Sequence, residues 1–471
     1  MDVQSRTRDT SRSALFRTRQ GRHGRPPRQR LFLVALVGAL AGVLTSAIVL
    51  GVSGRRPGSG AGTVDSPAGT AARVGAGAPE GWPSWGFTHT QNSVDVRQGP
   101  QRALADLSGG PVVQVTPIMG WGVDNPQPRP GEYNWASLDR RMETIRATKG
   151  TPVVTLCCAP DWMKGGPAGE TDWSRLELAV EPEFFDAFAE MSAAVAKRYP
   201  QVKYYTVWNE FKGFWYPPGN RWDYEGYTRL YNKVYTALKK VDKDIRVGGP
   251  YMVMNSNAPG RQYGPPSELK GSWGSMDQRN LDAVKYWAKH KKGADFIAID
   301  GHSQPVQREV KLNDFQALTK FSDVTRWLRG LDKDLPVWWA EWYVEPVPSD
   351  WTNERRAAVH TAAMIEFVRG GAASAFYWSP QTTMSGDCAG CLWSGSAAGG
   401  ATPTLAMLQN FARWFPPGTE LEDVKASDPA VRVLAQKERM VVVNGAAKAA
   451  RPEIDGEPLK LGPYEVKWVA R

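Results

Sequence analysis

The sequence predicts an α/β protein, an eight-stranded parallel (β/α)8 barrel with a transmembrane helix ahead of it and a small C-terminal antiparallel β module behind. Three observations carry that expectation. From Trp82 onward, short apolar runs alternate with longer amphipathic stretches in eight strand-then-helix units. The short runs are rich in Val, Ile, Trp and Tyr and nearly continuous in hydrophobicity, as strands covered on both faces must be. No glycine-rich dinucleotide turn follows the first run, and most doubly wound sheets have fewer strands, so the sheet is expected to close on itself.

The elements follow in chain order. Residues 1–30 hold nine arginines against Asp2 and Asp9, so +7 of the net charge of +10 sits in this segment. Residues 31–53 carry no charge and begin LFLVALVGALAGVLTSAIVL. As a helix, these first twenty residues reach ~30 Å, the thickness of a bilayer's hydrocarbon. The basic flank assigns 1–30 to the cytoplasm and the body to the outside. A cleaved signal peptide is the rival, although its basic region would be unusually long and no convincing A-x-A site follows. Both readings export the body, so the protein is expected to be membrane-anchored, or secreted after cleavage.

Residues 54–80 are rich in Gly, Ala, Pro and Ser and read as a flexible tether. What remains is nearly neutral. With no helix-turn-helix, zinc-finger or phosphate-loop pattern, a nucleic-acid partner loses its support.

The barrel is expected over 81–417. Its strands read WGFTHT (85–90), VVQVTPIM (112–119), PVVTLCC (152–158), YYTVWNE (204–210), IRVGGPY (245–251), DFIAIDGHS (295–303), PVWWAEWY (336–343) and SAFYWSP (374–380). Helical patterns occupy about 137–149, 183–199, 224–241, 277–291, 313–330, 354–369 and 403–414. After Phe415-Pro416-Pro417-Gly418 the texture turns strand-like, with Asn444-Gly445 and Asp455-Gly456 as turns, so 418–471 reads as a β module docked on the barrel. Four cysteines allow three pairings, and the C-x-x-C of Cys388 and Cys391 is the favoured small disulfide.

In such barrels the chemistry sits at the carboxyl ends of the strands. The residues there include His89, Trp121, Asp161, Trp162, Asn209, Glu210, His302, Glu341, Tyr343 and Trp378. Glu210 and Glu341 stand out because each ends an apolar strand, where a carboxylate costs several kcal/mol unless partnered or protonated. Two carboxylates beside aromatic rings suit glycoside hydrolysis: one protonates the leaving oxygen, while the other attacks the anomeric carbon or activates water. Tryptophan faces would carry sugar C–H faces, which is the functional reading of the 20 Trp.

Trp208-Asn209-Glu210 at the end of the fourth strand, with Glu341 at the end of the seventh, resembles the retaining glycoside hydrolases of clan A. Within that clan it is most similar to family 39, the β-xylosidase and iduronidase relatives, including bacterial exopolysaccharide hydrolases. The resemblance covers about residues 82–415 and extends to the trailing β module. It implies Glu210 as acid/base, Glu341 as nucleophile and Asn209 as a hydrogen-bond donor to the sugar 2-hydroxyl. His302 and Trp378 match positions that commonly bind substrate there.

Plainer readings stand beside these. His89 either meets a sugar hydroxyl or satisfies neighbouring backbone, and Asp161 either binds substrate or caps its loop. Glu345 is a weaker rival to Glu341, lying past the strand in a Pro-flanked loop. Trp162, Trp215, Trp222, Trp273 and Trp342 are each a sugar platform or core. Five scattered histidines without an H-x-x-x-H pair call for no metal, and no cofactor is expected. A non-catalytic carbohydrate-binding barrel and an envelope-glycan transglycosylase are the alternatives to a hydrolase.

Overall fold

Eight parallel strands close into one barrel in the computed structural model: β1 (Gly86–Thr88), β2 (Val113–Pro117), β3 (Thr151–Leu156), β4 (Tyr204–Val207), β5 (Arg246–Val253), β6 (Phe296–His302), β7 (Val337–Tyr343) and β8 (Ser374–Tyr377). Neighbours in sequence are neighbours in the sheet, and β1 pairs with both β2 and β8 to complete it. The structure describes residues 73–91, 93–95, 101–346, 349–378, 390–393 and 400–471. The basic segment 1–30 and the apolar segment 31–53 lie outside the described residues. Among those described, no helix is long and apolar enough to cross a membrane.

Every apolar run identified in the sequence holds a strand, and in most of them alternate residues are buried in two different cores. On β6, Phe296 and Ala298 face the barrel interior, while Ile297 and Ile299 face the surrounding helices. The interior is aromatic: Trp338 of β7 stacks on Phe296 at 3.9 Å between centroids and meets Phe376 edge-on. Trp82 packs against Trp338, Phe296 and Tyr204 in the same interior cluster. Eight tryptophans are fully buried, Trp273 and Trp342 among them, so much of the tryptophan content serves packing.

The longer helices are α1 (Gln101–Gly109), α2 (Ala136–Ala147), α3 (Phe185–Arg198), α4 (Tyr224–Val241), α5 (Gln278–His290), α6 (Thr319–Leu331), α7 (Asn353–Gly370) and α8 (Pro403–Trp414). Side chains of Asp223, Asp277 and Thr352 cap α4, α5 and α7 by accepting from first-turn amides. Helix α1 is the one the sequence pattern did not mark; it is short and carries few large apolar residues.

The last residues of the expected tether belong to the body. Val74 is fully buried, its amide donates to Thr419 O, and its carbonyl accepts from Gly418 N. The C-terminal module holds the antiparallel sheet β9 (Val431–Gln436), β10 (Arg439–Asn444) and β11 (Val466–Ala470). Trp468 of β11 packs against Phe411 and Trp414 of α8, and Arg369 of α7 donates to Val433 O. Cys157 and Cys158, adjacent on the loop after β3, are joined as a disulfide. Cys391 is disulfide-bonded as well, its expected partner Cys388 lying outside the described residues.

Candidate active site

The turn that carries Glu210 is held in a conformation that non-glycine residues rarely adopt. Trp208, Glu210 and Phe211 have φ of 66°, 50° and 55°, in the left-handed region. Packing maintains it. The Trp208 ring is buried against Phe188 and Phe214, and its Nε1 donates to Lys212 O at 2.8 Å. Phe211 stacks on Tyr227 of α4, whose hydroxyl donates to Val207 O at 2.8 Å. The turn therefore points the Glu210 carboxylate over the barrel while its aromatic flanks anchor below.

Bulges aim the remaining groups. On β5, Pro250 pairs with Ala298 and Met252 with Ile299, so Tyr251 is the extra residue, with φ of 54°. On β7, Trp339 pairs with Ile299 and Glu341 with Asp300, so Ala340 is extra. These shifts put Tyr251, Asp300 and Glu341 together at the carboxyl end. Tyr251 Oη donates to Glu341 Oε1 at 2.7 Å. Carboxylate oxygens of Glu210, Asp300 and Glu341 all lie within 4.8 Å of one another.

The charges follow from that crowding. Asp300 is fully buried, and neither of its carboxylate oxygens meets a donor. Burial, then the Glu210 charge, hold its pKa well above the usual carboxylate range, so it carries a proton and donates it to Glu210. Glu341 is pushed up to about 8 by burial and by Glu210. Burial also acts on Glu210, but the Asp300 hydrogen bond and the Lys212 ammonium prevail and hold it below the ordinary value. Lys212 Nζ lies 3.0 Å from Glu210 Oε2 and 2.7 Å from Glu177 Oε1. At neutral pH the three carboxylates therefore share two protons and one negative charge beside a cation. The spacing would also suit a divalent ion, but the Lys212 ammonium already supplies positive charge to Glu210.

The other expected residues divide. Trp121 and Trp378 meet edge to face at 6.1 Å, and the Lys212 ammonium lies 5.1 Å from the Trp121 centroid, which ties both rings to Glu210. His302 and Tyr343, at the ends of β6 and β7, have ring centroids 5.2 Å apart. Burial holds His302 neutral, with its pKa near 4. Asn209 is buried beside Glu210 with Oδ1 unpartnered.

His89 has no ring nitrogen to offer: Nε2 bonds to Gln114 Oε1 at 2.9 Å and Nδ1 to the Ser93 hydroxyl at 2.5 Å, in a fully buried site. Trp162 is pinned in its loop by Phe184 and by donation to Gln127 O, and no described contact joins it to the carboxylates. Asp161 accepts from Asp172 N, the loop-capping geometry, and Glu345 is forked to Arg356.

The sequence reading leaves out Asp300, Tyr251, Lys212 and Lys320. Asp300 ends the apolar run FIAI as Glu341 ends VWWA, so the same rule would have found it. Lys320 of α6 is fully buried behind the site and donates to His302 O at 2.8 Å and Ser256 Oγ at 3.0 Å. Burial brings its pKa down to about 7. Its partners come from other elements, so no local pattern announces it.

Fold and site together define a (β/α)8 barrel with three interacting carboxylates at its carboxyl-end mouth. No family model matches the sequence, and no curated protein is similar to it. Solved structures are similar in fold. SrfJ from Salmonella typhimurium aligns over 85% of this chain and 92% of its own at 12% identity, with a TM-score of 0.57. A conserved exported protein from Bacteroides fragilis aligns over 84% and 96% at 11% identity, also with a TM-score of 0.57. A family 39 β-xylosidase from Caulobacter crescentus aligns over 79% of each chain at 16% identity, with a TM-score of 0.46. At these identities the first two show a shared barrel fold.

Proposed function

We propose that the protein is a retaining glycoside hydrolase that cleaves O-glycosidic bonds of an oligo- or polysaccharide by double displacement. One observation carries the reading: Glu210 and Glu341, at the ends of β4 and β7, bring carboxylate oxygens within 4.8 Å of each other. That closeness of carboxylate oxygens favours direct attack, for which carboxyl groups stand ~5–5.5 Å apart, over the ~6.5–9.5 Å of an inverting enzyme.

Glu341 attacks the anomeric carbon as the bond to the leaving oxygen breaks, and Glu210 gives that oxygen its proton. Water, deprotonated by Glu210, then displaces Glu341 with net retention. The resting site has its protons on Asp300 and Glu341, whereas the reactive site needs them on Asp300 and Glu210. The two arrangements hold the same number of protons, so a shift between neighbouring carboxylates on substrate binding suffices. Tyr251 steadies the Glu341 carboxylate that results, and Asp300 donates to Glu210 throughout. The placement near family 39 rests on Trp208-Asn209-Glu210 with Glu341 and on the trailing β module.

Glu341→Ala should lower turnover by about 10³-fold or more. Azide should restore it and give a glycosyl azide of configuration opposite to the substrate, while Glu210→Ala with azide should give the retained product. Undiminished activity in Glu341→Ala would remove that residue from the reaction.

The exported, membrane-anchored topology rests on the sequence of residues 1–53, and the disulfide-bonded state of Cys157, Cys158 and Cys391 suits an oxidising compartment. Protease added to intact cells should digest the body and spare residues 1–30.

A further inference from the structure

Among the described residues, five large aromatic side chains stand exposed: Tyr133, Trp173, Trp215, Tyr216 and Tyr263. Leu178 and Val306 are the exposed large aliphatics. All seven lie in loops that follow strands β2 to β6, on the carboxyl-end face that carries Glu210 and Glu341. Single exposed apolar residues are ordinary anywhere on a surface, but their confinement to one face marks a contact surface. The excess of aromatic over aliphatic groups points to its ligand. A pyranose presents a flat C–H face rimmed by hydroxyls, which an aromatic ring covers without desolvating the rim.

Two of the rings, Trp215 and Tyr216, are braced on one hairpin, and Tyr263 lies in the loop beside it. The hairpin Trp215–Tyr216 with Arg221–Trp222 begins five residues after Glu210, and its Trp222 ring packs 6.0 Å from that of Phe211. Trp215, 39% exposed, meets Trp222 edge-on at 5.1 Å and has the Arg279 guanidinium 5.1 Å from its centroid. Arg221 lies 5.5 Å from the Tyr216 centroid. Gly264, next to Tyr263, lies so close to Arg279 that a Cβ there would stand 3.2 Å from Nε. Asp277 and Glu225 neutralise Arg279 and Arg221 at 2.6 and 2.7 Å, so the patch offers ring faces rather than charge. Holding the rings in advance removes part of the ordering cost of binding.

We propose that this face is a glycan-binding platform that lays a neutral polysaccharide chain across the barrel mouth, with Trp215, Tyr216 and Tyr263 as its stacking residues. The site then engages a chain rather than a lone terminal sugar. This deepens the hydrolase reading and rests on it for the identity of the bond cleaved.

The test is affinity electrophoresis of the full chain, in a detergent without a sugar head, through gels containing soluble β-glucan, xylan or mannan. At least one polymer should retard the protein. Trp215→Ala or Tyr216→Ala should weaken that retardation by about fivefold, the scale of one aromatic contact. Unchanged melting temperatures would exclude misfolding. The inactive Glu341→Gln variant should be retarded like the wild type, which separates the platform from catalysis. Retarded wild type that hydrolyses nothing would sustain the platform and sink the hydrolase. Migration unaffected by all three polymers, retardation undiminished in the Trp215→Ala/Tyr216→Ala double variant, or self-association lost in that variant would overturn the proposal.

Discussion

Asp300 and Glu341 are register partners across β6 and β7, brought level by the single extra residue Ala340 on β7. Two carboxylates side by side on adjacent strands, with Glu210 reaching over them, cannot all be ionised. One proton remains on Asp300, which donates to Glu210, and a second moves between Glu341 and Glu210. The acid/base Glu210 and nucleophile Glu341 expected from the sequence are thus two members of a triad that shares two protons.

Asp300 should act as a neutral donor. Asp300→Asn keeps an N–H facing Glu210, and its kcat/KM should stay within about tenfold of wild type. Asp300→Ala removes the donor and leaves Glu210 loosely held, a loss of roughly 10²-fold. Equal losses in the two variants would show that the charge of Asp300, rather than its proton, is used.

The pH profile should follow the proton count. Activity needs two protons on the triad, so kcat/KM should fall as pH rises through about 8, the value at which Glu341 ionises. It should fall again in acid as Glu210 takes up a third. Lys212 lowers the pKa of both Glu210 and Glu341. Lys212→Met should therefore move both limbs to higher pH, by roughly one unit. An alkaline limb that stays in place would place Lys212 outside the titrating cluster.

The buried nucleophile should cost stability at high pH. Glu341 binds its proton more tightly folded than unfolded, so stability is fully present below its ordinary pKa of 4.5 and declines as pH rises to about 8. Glu341→Gln removes that decline and keeps an acceptor for Tyr251. Its melting temperature should exceed that of wild type by about 2–4 °C per kcal/mol recovered, more at pH 9 than at pH 5. A pH-independent difference would show that Glu341 is not titrating as described.

The eight strands were legible because each is a local run of apolar residues buried on both faces. Glu210 and Glu341 were legible because each interrupts such a run. Asp300 interrupts the run FIAI by the same rule, with Gly301-His302 directly after it. His89 looked like a rim residue, but Gln114 of the neighbouring strand and Ser93 take both ring nitrogens. Lys212 and Tyr251 carry no sequence signal, since one acts through a strained turn and the other through a bulge. Among the tryptophans, the sequence could not separate the interior Trp338 from the exposed Trp215, because both lie in aromatic-rich segments.

The amino-acid order alone determined the barrel, its closing β module and the two strand-end glutamates, because periodicity and burial are properties of short segments. The location of the protons, and which aromatic rings face outward, were decided only in three dimensions. Tyr251 and Glu341, 90 residues apart, meet at 2.7 Å. Electrostatic interaction depends on distances across the barrel, which the bulges in β5 and β7 set.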